Sequence, residues 1–472
     1  MKKTKSISIL GTSSDAGKST VTFLIGRLLQ NFGYKVVPFK AQNVSNNSYV
    51  ADDGSEIAIA QYFQAEVMDV KTSYLNNPIL LKTGKKNSSQ IIVKGKAVKD
   101  VNVREYFRDI DTLKPIVYDS FKNLQEKNDI VIAEGAGSPV ELNLMDKDLS
   151  NIFIADTFNT KIILVADIER SGVFASIWGT YNLLPKKLQK NVIGVIVNKF
   201  RGDMTLFDKG VEIIEKEFNL PIIGVLPYIP LNLGFEDSQS ILNYKQNLTS
   251  KIDKKTPIIK VAVIQYPTMS NYNDFEPLLA DKQIYIEFVN HNKNLDNYQL
   301  VILSGSKATI EDLRWLKKSG LFKQLKIRKK PIFGVCGGYQ MMFNYIIDNN
   351  NVEVTKKTKV KALGFFNDNI KFQKEKILKK DTFNIFNIEV KGFEMHCGFS
   401  TKYPLFTKSK NKKGSFIHAI FDNDNFRNYL FKSINKNYKG FKYKKYKKDT
   451  IQKFINNMEQ HIDMTKVLKG IK

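Results

Sequence analysis

Cysteine is almost missing from this chain: Cys336 and Cys397 are the only two in 472 residues. Two thiols cannot build a disulfide framework, so a secreted, disulfide-stapled fold is excluded and a reducing compartment, the cytoplasm, is expected. Long hydrophobic runs are missing too. The opening Met1-Lys-Lys-Thr-Lys-Ser-Ile-Ser-Ile-Leu10 is basic and then apolar, but its apolar run is about four residues, against the roughly seven to fifteen of a secretory leader. No later stretch approaches the roughly 20 apolar residues of a membrane span, so no membrane partner is expected. Histidine is scarce, with four copies, which narrows any search for a general base.

Acidic residues are in deficit: 47 Asp and Glu against 73 Lys and Arg leave a formal charge of +26. Such an excess invites a nucleic-acid partner through counterion release. The lysines are spread along the whole chain, however, and the densest cluster, Lys439–Lys448, lies outside any binding motif. Nucleic acid is therefore not expected as a partner, while a positive field suits a small polyanionic substrate.

A hydrophobic fraction of 42% in a chain this long supports more than one core. Short apolar runs at 6–10, 36–39, 130–133, 161–166 and 192–197 alternate with amphipathic segments. Their Ile and Val residues come in succession rather than alternation, the mark of parallel strands covered on both faces. A second series at 259–265, 300–303 and 331–335 follows a polar stretch. The fold class expected is α/β, with two domains that each hold a mainly parallel sheet flanked by helices. Residues 1–235 form the first, 236–258 a linker, 259–436 the second, and 437–472 a basic C-terminal segment with an amphipathic helix around Phe454, Ile455, Met458, Ile462 and Met464.

The first run leads into Gly11-Thr12-Ser13-Ser14-Asp15-Ala16-Gly17-Lys18-Ser19-Thr20 and then an apolar helix. Backbone N–H groups at such a helix start face an anion, the Lys18 ammonium reaches terminal phosphates and the Ser19 hydroxyl can ligate Mg²⁺. Five residues separate the two glycines, where the usual phosphate loop has four. The metal also needs a carboxylate at the end of a neighbouring strand. Glu134, closing Ile130-Val-Ile-Ala-Glu134, supplies one, and Glu56 is a second candidate. Asn198 and Lys199, at the end of the 192–197 run, have the amide and the long stem to read and cover a purine.

The run 331–335 leads into Cys336-Gly337-Gly338-Tyr339-Gln340. A strand, a glycine turn with Cys at its apex and a helix form a nucleophile elbow. The N–H of Gly337, with Gly305 as a second donor, suits an oxyanion hole. A thiol nucleophile wants a base. His418 and His396 both lie in suitable surroundings, and spacing leaves the choice open, whereas His291 and His461 sit in polar stretches.

Both ends together resemble the cobyric acid synthase family, in which a dethiobiotin-synthetase-like ATPase domain is fused to a type 1 glutamine amidotransferase domain. The resemblance covers nearly the whole chain, through Gly11–Thr20, Pro38–Asn43, Glu56–Gln64, Asn77–Lys82, Glu134–Asn143, Asp167–Phe174, Asn198–Asp203, Asp237-Ser238, Gly305–Thr309, Cys336–Gln340, Phe393–His396, His418–Arg427 and His461–Met464. The longer glycine loop is shared with that family. The resemblance implies that Cys336 is the glutaminase nucleophile and His418 its base. It implies ATP and Mg²⁺ at Gly11, Thr12, Asp15, Ala16, Gly17, Lys18, Ser19 and Thr20, and a corrinoid with several carboxylates, amidated at four side chains in turn, near Lys40, Gln42, Asn43 and Lys82. Related amidotransferases often carry Glu two residues after the histidine. Here that position is Ile420, so no orienter of His418 is identified.

Three other readings compete: a cobyrinic acid a,c-diamide synthase or similar two-domain ligase, a phosphate-loop switch with a degenerate partner-binding domain, and a nucleic-acid binder acting through Lys439–Lys448.

Overall fold

The computed structural model describes residues 5–83, 88–231, 233–234 and 259–472. The expected linker and the Asp237-Ser238 motif lie outside the described residues. The chain divides into two compact units. One comprises Met1–Ser45, Ala51–Asn232 and Lys448–Lys472, and the other Asn46–Val50 and Leu233–Lys447. Five residues of the N-terminal half thus belong to the second unit, and the C-terminal segment is shared between both.

The first unit is built on a six-stranded parallel sheet, in the order 222–227, 192–200, 161–167, 5–11, 130–134, 36–39. The N-terminal strand sits between 130–134 and 161–167, so the connections depart to opposite sides at its end. Open α/β sheets bind ligands at such a switch point. Side chains alternate between faces: Leu10, Leu164, Val195 and Val131 share one, where they meet Val117 and Phe121 of helix Lys114–Lys127 and Ile177 of helix Val173–Leu183. Helix Lys18–Asn31 packs against the sheet. The C-terminal helix Met464–Gly470 covers strands 192–200 and 222–227, with Ile193 filling the space beside Gly470. A small sheet of strands 42–44, 79–83, 88–93 and 96–102, mostly antiparallel, is additional to what the sequence announces.

The second unit has a six-stranded sheet, ordered 284–289, 259–264, 300–303, 332–335, 412–415, 406–409, parallel except for its last pair. A second sheet contains the long hairpin Ile370–Ile385 and Ile388–Phe399, with the short strand Ile417–His418 at its edge. Among the described residues, no helix is long and apolar enough to cross a membrane.

Candidate active site

In the first unit the loop leaves strand Lys5–Gly11 and reverses through left-handed backbone at Asp15 (φ 57°) and Gly17 (φ 94°) before helix Lys18–Asn31. Gly17 is glycine for two reasons, since a Cβ there would also lie 2.1 Å from the Asn198 amide nitrogen. Asn198 Nδ2 donates to the Ala16 carbonyl (2.9 Å), so this residue braces the loop from behind. Lys199 pairs with Asp167 at 2.9 Å. The Lys18 ammonium lies over Gly11 and donates to the carbonyls of Ser13 and Gly137, both at 2.9 Å. Thr12 joins its loop to the neighbouring strand through Val165 O.

Ser19 Oγ donates to Glu134 Oε1 at 2.8 Å, and Lys40 Nζ reaches the same oxygen at 2.7 Å. Gln64 (2.6 Å) and Gln61 (3.3 Å) donate to Oε2. Burial by itself would raise the Glu134 pKa, but the Lys40 charge and the bonds from Lys40, Ser19 and Gln64 outweigh it and hold this carboxyl below its ordinary value. The acid is thus a buried carboxylate neutralised by one lysine. Glu134, not Glu56, is the carboxylate bonded to Ser19; Glu56 forms its own buried pair with Lys82 (2.8 Å). A hydroxyl and a carboxylate are hard oxygen donors that suit Mg²⁺, which takes few protein ligands and fills its octahedron with water and phosphate oxygens.

Of the residues expected near a corrin, Lys40 therefore belongs to the Glu134 cluster and Lys82 to Glu56. Asn43 donates to Gln61 (2.8 Å), and Gln42 accepts a hydrogen bond from Tyr106. Sequence reasoning missed Gln61 and Gln64, whose i, i+3 spacing puts both on one face of helix Ile59–Val67. It also missed Asn151, which donates to Ala136 O (2.7 Å) and accepts from Ala136 N (3.1 Å), clamping the loop after Glu134. Gly135 is glycine because the Asn151 carboxamide fills the space of a Cβ.

In the second unit Cys336 follows strand Ile332–Val335 with φ 46°, a left-handed conformation that a non-glycine residue adopts only when its surroundings enforce it. The helix after it is a single turn, Gly337–Gln340. Gly338 packs against the backbone of Leu303, where a Cβ would lie 2.1 Å from the carbonyl oxygen, and Gly337 abuts Ser306. The Gly305-Ser306 loop is thereby held beside the elbow.

His418 lies near both: a Cβ on Gly305 would be 3.4 Å from its Cε1. Its Nδ1 bonds Asp274 Oδ2 at 2.7 Å, and Cys336 is a hydrogen-bonding partner of the same ring. Asp274 Oδ1 accepts from Ala419 N (2.7 Å), so the carboxylate is itself fixed. Burial would lower the imidazole pKa, but the Asp274 carboxylate and the adjacent Cys336 sulfur outweigh it and push it up to about 10. His396, by contrast, has both nitrogens engaged, by Gly398 O (2.7 Å) and Glu394 (3.1 Å), and its ring stacks on Phe416. Asp274 escaped sequence reasoning because it lies 144 residues from His418 in an inconspicuous Asn-Tyr-Asn-Asp stretch. Gln340 escaped as well: its side-chain oxygen is buried four residues past Cys336 and has no partner among the described residues.

Residues 7–233 match the CobQ/CobB/MinD/ParA nucleotide binding domain, and residues 260–426 the CobB/CobQ-like glutamine amidotransferase domain. The chain is 54% identical over 465 residues to a cobyric acid synthase of Acinetobacter baylyi, covering 98% of this chain and 99% of that one. To that of Listeria innocua serovar 6a it is 36% identical over 501 residues, covering 99% and 97%. Among solved structures, a glutamine amidotransferase aligns at a TM-score of 0.28 and 13% identity, over 37% of this chain and 97% of that one. A phosphate loop in one unit, a cysteine elbow in the other and this likeness along almost the full length lead to one conclusion: the chain belongs to the cobyric acid synthase family, ATP-dependent amidating ligases with a glutamine amidotransferase domain.

Proposed function

We propose that this chain converts carboxylates of a corrinoid diamide into carboxamides, four in turn, with ammonia released from glutamine and energy from ATP. The observation that carries the glutamine half is the Asp274–His418 pair beside the strained Cys336. Cys336 Sγ attacks the side-chain carbonyl of glutamine while His418 holds the thiol proton. The N–H groups of Gly337 and Gly305 stabilise the oxyanion. His418 then delivers the proton to the departing ammonia, and water cleaves the thioester to glutamate. Gln340 Oε1 accepts an N–H of the bound glutamine, which gives that buried oxygen the partner it otherwise lacks.

In the ATP half, the loop Gly11–Thr20 cradles the phosphates, and Lys18 and Lys40 offset charge on the transferred group. Ser19 and Glu134 would hold Mg²⁺, which would offset the negative charge of the phosphates. The corrinoid carboxylate attacks the γ-phosphorus, ADP departs with the bridging oxygen, and ammonia then displaces phosphate from the acyl phosphate.

The test is mass spectrometry of a corrinoid a,c-diamide incubated with Mg·ATP and glutamine, counting carboxyl-to-amide conversions. Cys336→Ala should abolish conversion with glutamine and keep it with high ammonium. Lys18→Ala should abolish both. Conversion by Lys18→Ala at the unaltered rate refutes the phosphate role.

A further inference from the structure

Residues Asn46–Val50 are continuous in sequence with the phosphate-binding unit at both ends, yet they are folded into the other unit. Their contacts there converge on the supports of the glutaminase residues. Asn47 Oδ1 accepts from Tyr272 N (3.2 Å), and Asn271 Nδ2 donates to Ser48 O (2.8 Å), so the segment holds the turn that presents Asp274. Ser48 Oγ donates to the Met395 sulfur (3.3 Å), and the Met395 carbonyl accepts from Cys336 Sγ (3.7 Å). The Tyr49 ring lies 4.1 Å from that of Phe393, which stacks on the His418 imidazole at 5.2 Å. Val50 is buried with Phe393, Met395 and Ala419.

Three residues around this site hold left-handed backbone: Cys336 (φ 46°), Asn271 (φ 54°) and Ala419 (φ 56°). Conformations of this kind persist only where the surroundings over-determine them. The segment bonds Asn271 through Ser48, and its Val50 shares a buried apolar cluster with Ala419. On its upstream side, Asn43 bonds Gln61, which bonds Glu134, the carboxylate that also binds Lys40 and Ser19. Only Val44 and Ser45 separate Asn43 from Asn46, too few to absorb a shift of the strand without passing it on.

We infer that residues 46–50 are a covalent tether by which the state of the phosphate site positions the Asp274–His418 pair, with Asn47 and Tyr49 as positioning residues for glutamine hydrolysis at Cys336. Filling the phosphate site redistributes the bonds of Glu134, the strand bearing Asn43 follows, and the tether sets the Asp274 turn and Phe393. Wasteful hydrolysis of glutamine is thereby restrained when no carboxylate can be activated. The inference rests on the glutaminase reading above.

The test uses the full chain with saturating glutamine, with and without the magnesium complex of a non-hydrolysable ATP analogue, and reads glutamate release. Coupled sites typically shift each other by roughly 5–150-fold, and a rise in that range is expected in the unaltered chain. Tyr49→Ala and Asn47→Ala should lose the rise while ammonium-driven amidation stays unchanged, and Tyr49→Phe, which keeps the ring, should retain it. Peptides covering 46–50 and 271–274 should also exchange amide hydrogens more slowly with the analogue bound, a readout that needs no variant. A full rise in both alanine variants, no rise in the unaltered chain, or unaltered exchange overturns the tether alone. Absence of glutamate release from the unaltered chain, or its persistence in Cys336→Ala, overturns the glutaminase reading and the tether with it.

Discussion

At the scale of single residues, His418 and Glu134 are both buried and each has one oppositely charged partner, Asp274 and Lys40, which defines what substitution does. Asp274→Asn removes the carboxylate charge that, with Cys336, lifts the His418 pKa against the lowering effect of burial. By analogy with other imidazole orienters, kcat/KM for glutamine should fall by about 10²–10⁴ while ammonium-driven amidation persists. The pH dependence has a definite sign. His418 binds its proton more tightly folded (about 10) than in its ordinary state (6.5), so its stabilising contribution is complete below 6.5, declines above it and is lost as pH passes 10. Melting temperature should therefore drop between pH 7 and 10 more steeply in the unaltered chain than in Asp274→Asn. Lys40→Met leaves Glu134 buried without its counter-charge, a defect of about 3–5 kcal/mol. Added Mg²⁺ should raise the melting temperature of this variant more than that of the unaltered chain, and an equal response would refute the proposed role of Glu134 as a metal ligand.

At the scale of elements, the parallel strands are legible because they are buried on both faces, so Ile-Val-Ile and Val-Ile-Val runs leave no ambiguity of period. The two turns that carry chemistry are legible for a different reason. Glycine at 17 and at 338 is demanded by a neighbouring atom within about two ångströms of the absent Cβ, and such positions survive as Gly beside Lys and Cys. What stayed hidden is long-range pairing: Asp274 with His418, Lys40 with Glu134 and Asn151 with Ala136 each join residues whose spacing follows no period. The small sheet 42–102 was hidden too, its strands being short and half polar. Asn151 illustrates the cost of such a clamp. Asn151→Ala deletes both bonds to Ala136 and one to the half-buried Asp148 (2.6 Å). A loss of about 1–3 kcal/mol is expected, together with a raised KM for ATP, because Gly137 O in this loop is an acceptor for Lys18. Thermal melts and ATP titrations check the two effects separately.

At the scale of the whole molecule, the excess of lysine coexists with an ordinary interior. Within 439–448, Tyr443 turns inward to bond Glu276 (3.2 Å) and to lie, with Phe441, against the buried Arg427, while Lys442, Lys444 and Lys445 face solvent. Further on, Phe454, Ile455 and Met458 are buried and Phe454 meets Phe23, a residue of the helix that begins at Lys18. Each such side chain contributes about 1.5–3 kcal/mol when buried. A chain ending at residue 442 should therefore melt well below the full chain and lose ammonium-driven amidation along with the glutamine-driven reaction. Retention of the ammonium-driven reaction would show that the phosphate site does not need these helices.

The return of residues 448–472 to the first unit also orders events during synthesis. The sheet that begins at Lys5 stays bare over strands 192–200 and 222–227 until Met464–Gly470 has left the ribosome. The amidotransferase unit is translated in the interval, so the unit made first is the one completed last. A nascent chain arrested before residue 448 offers chaperones an uncovered apolar face, and the ATP-dependent half cannot be completed until the whole chain has been made.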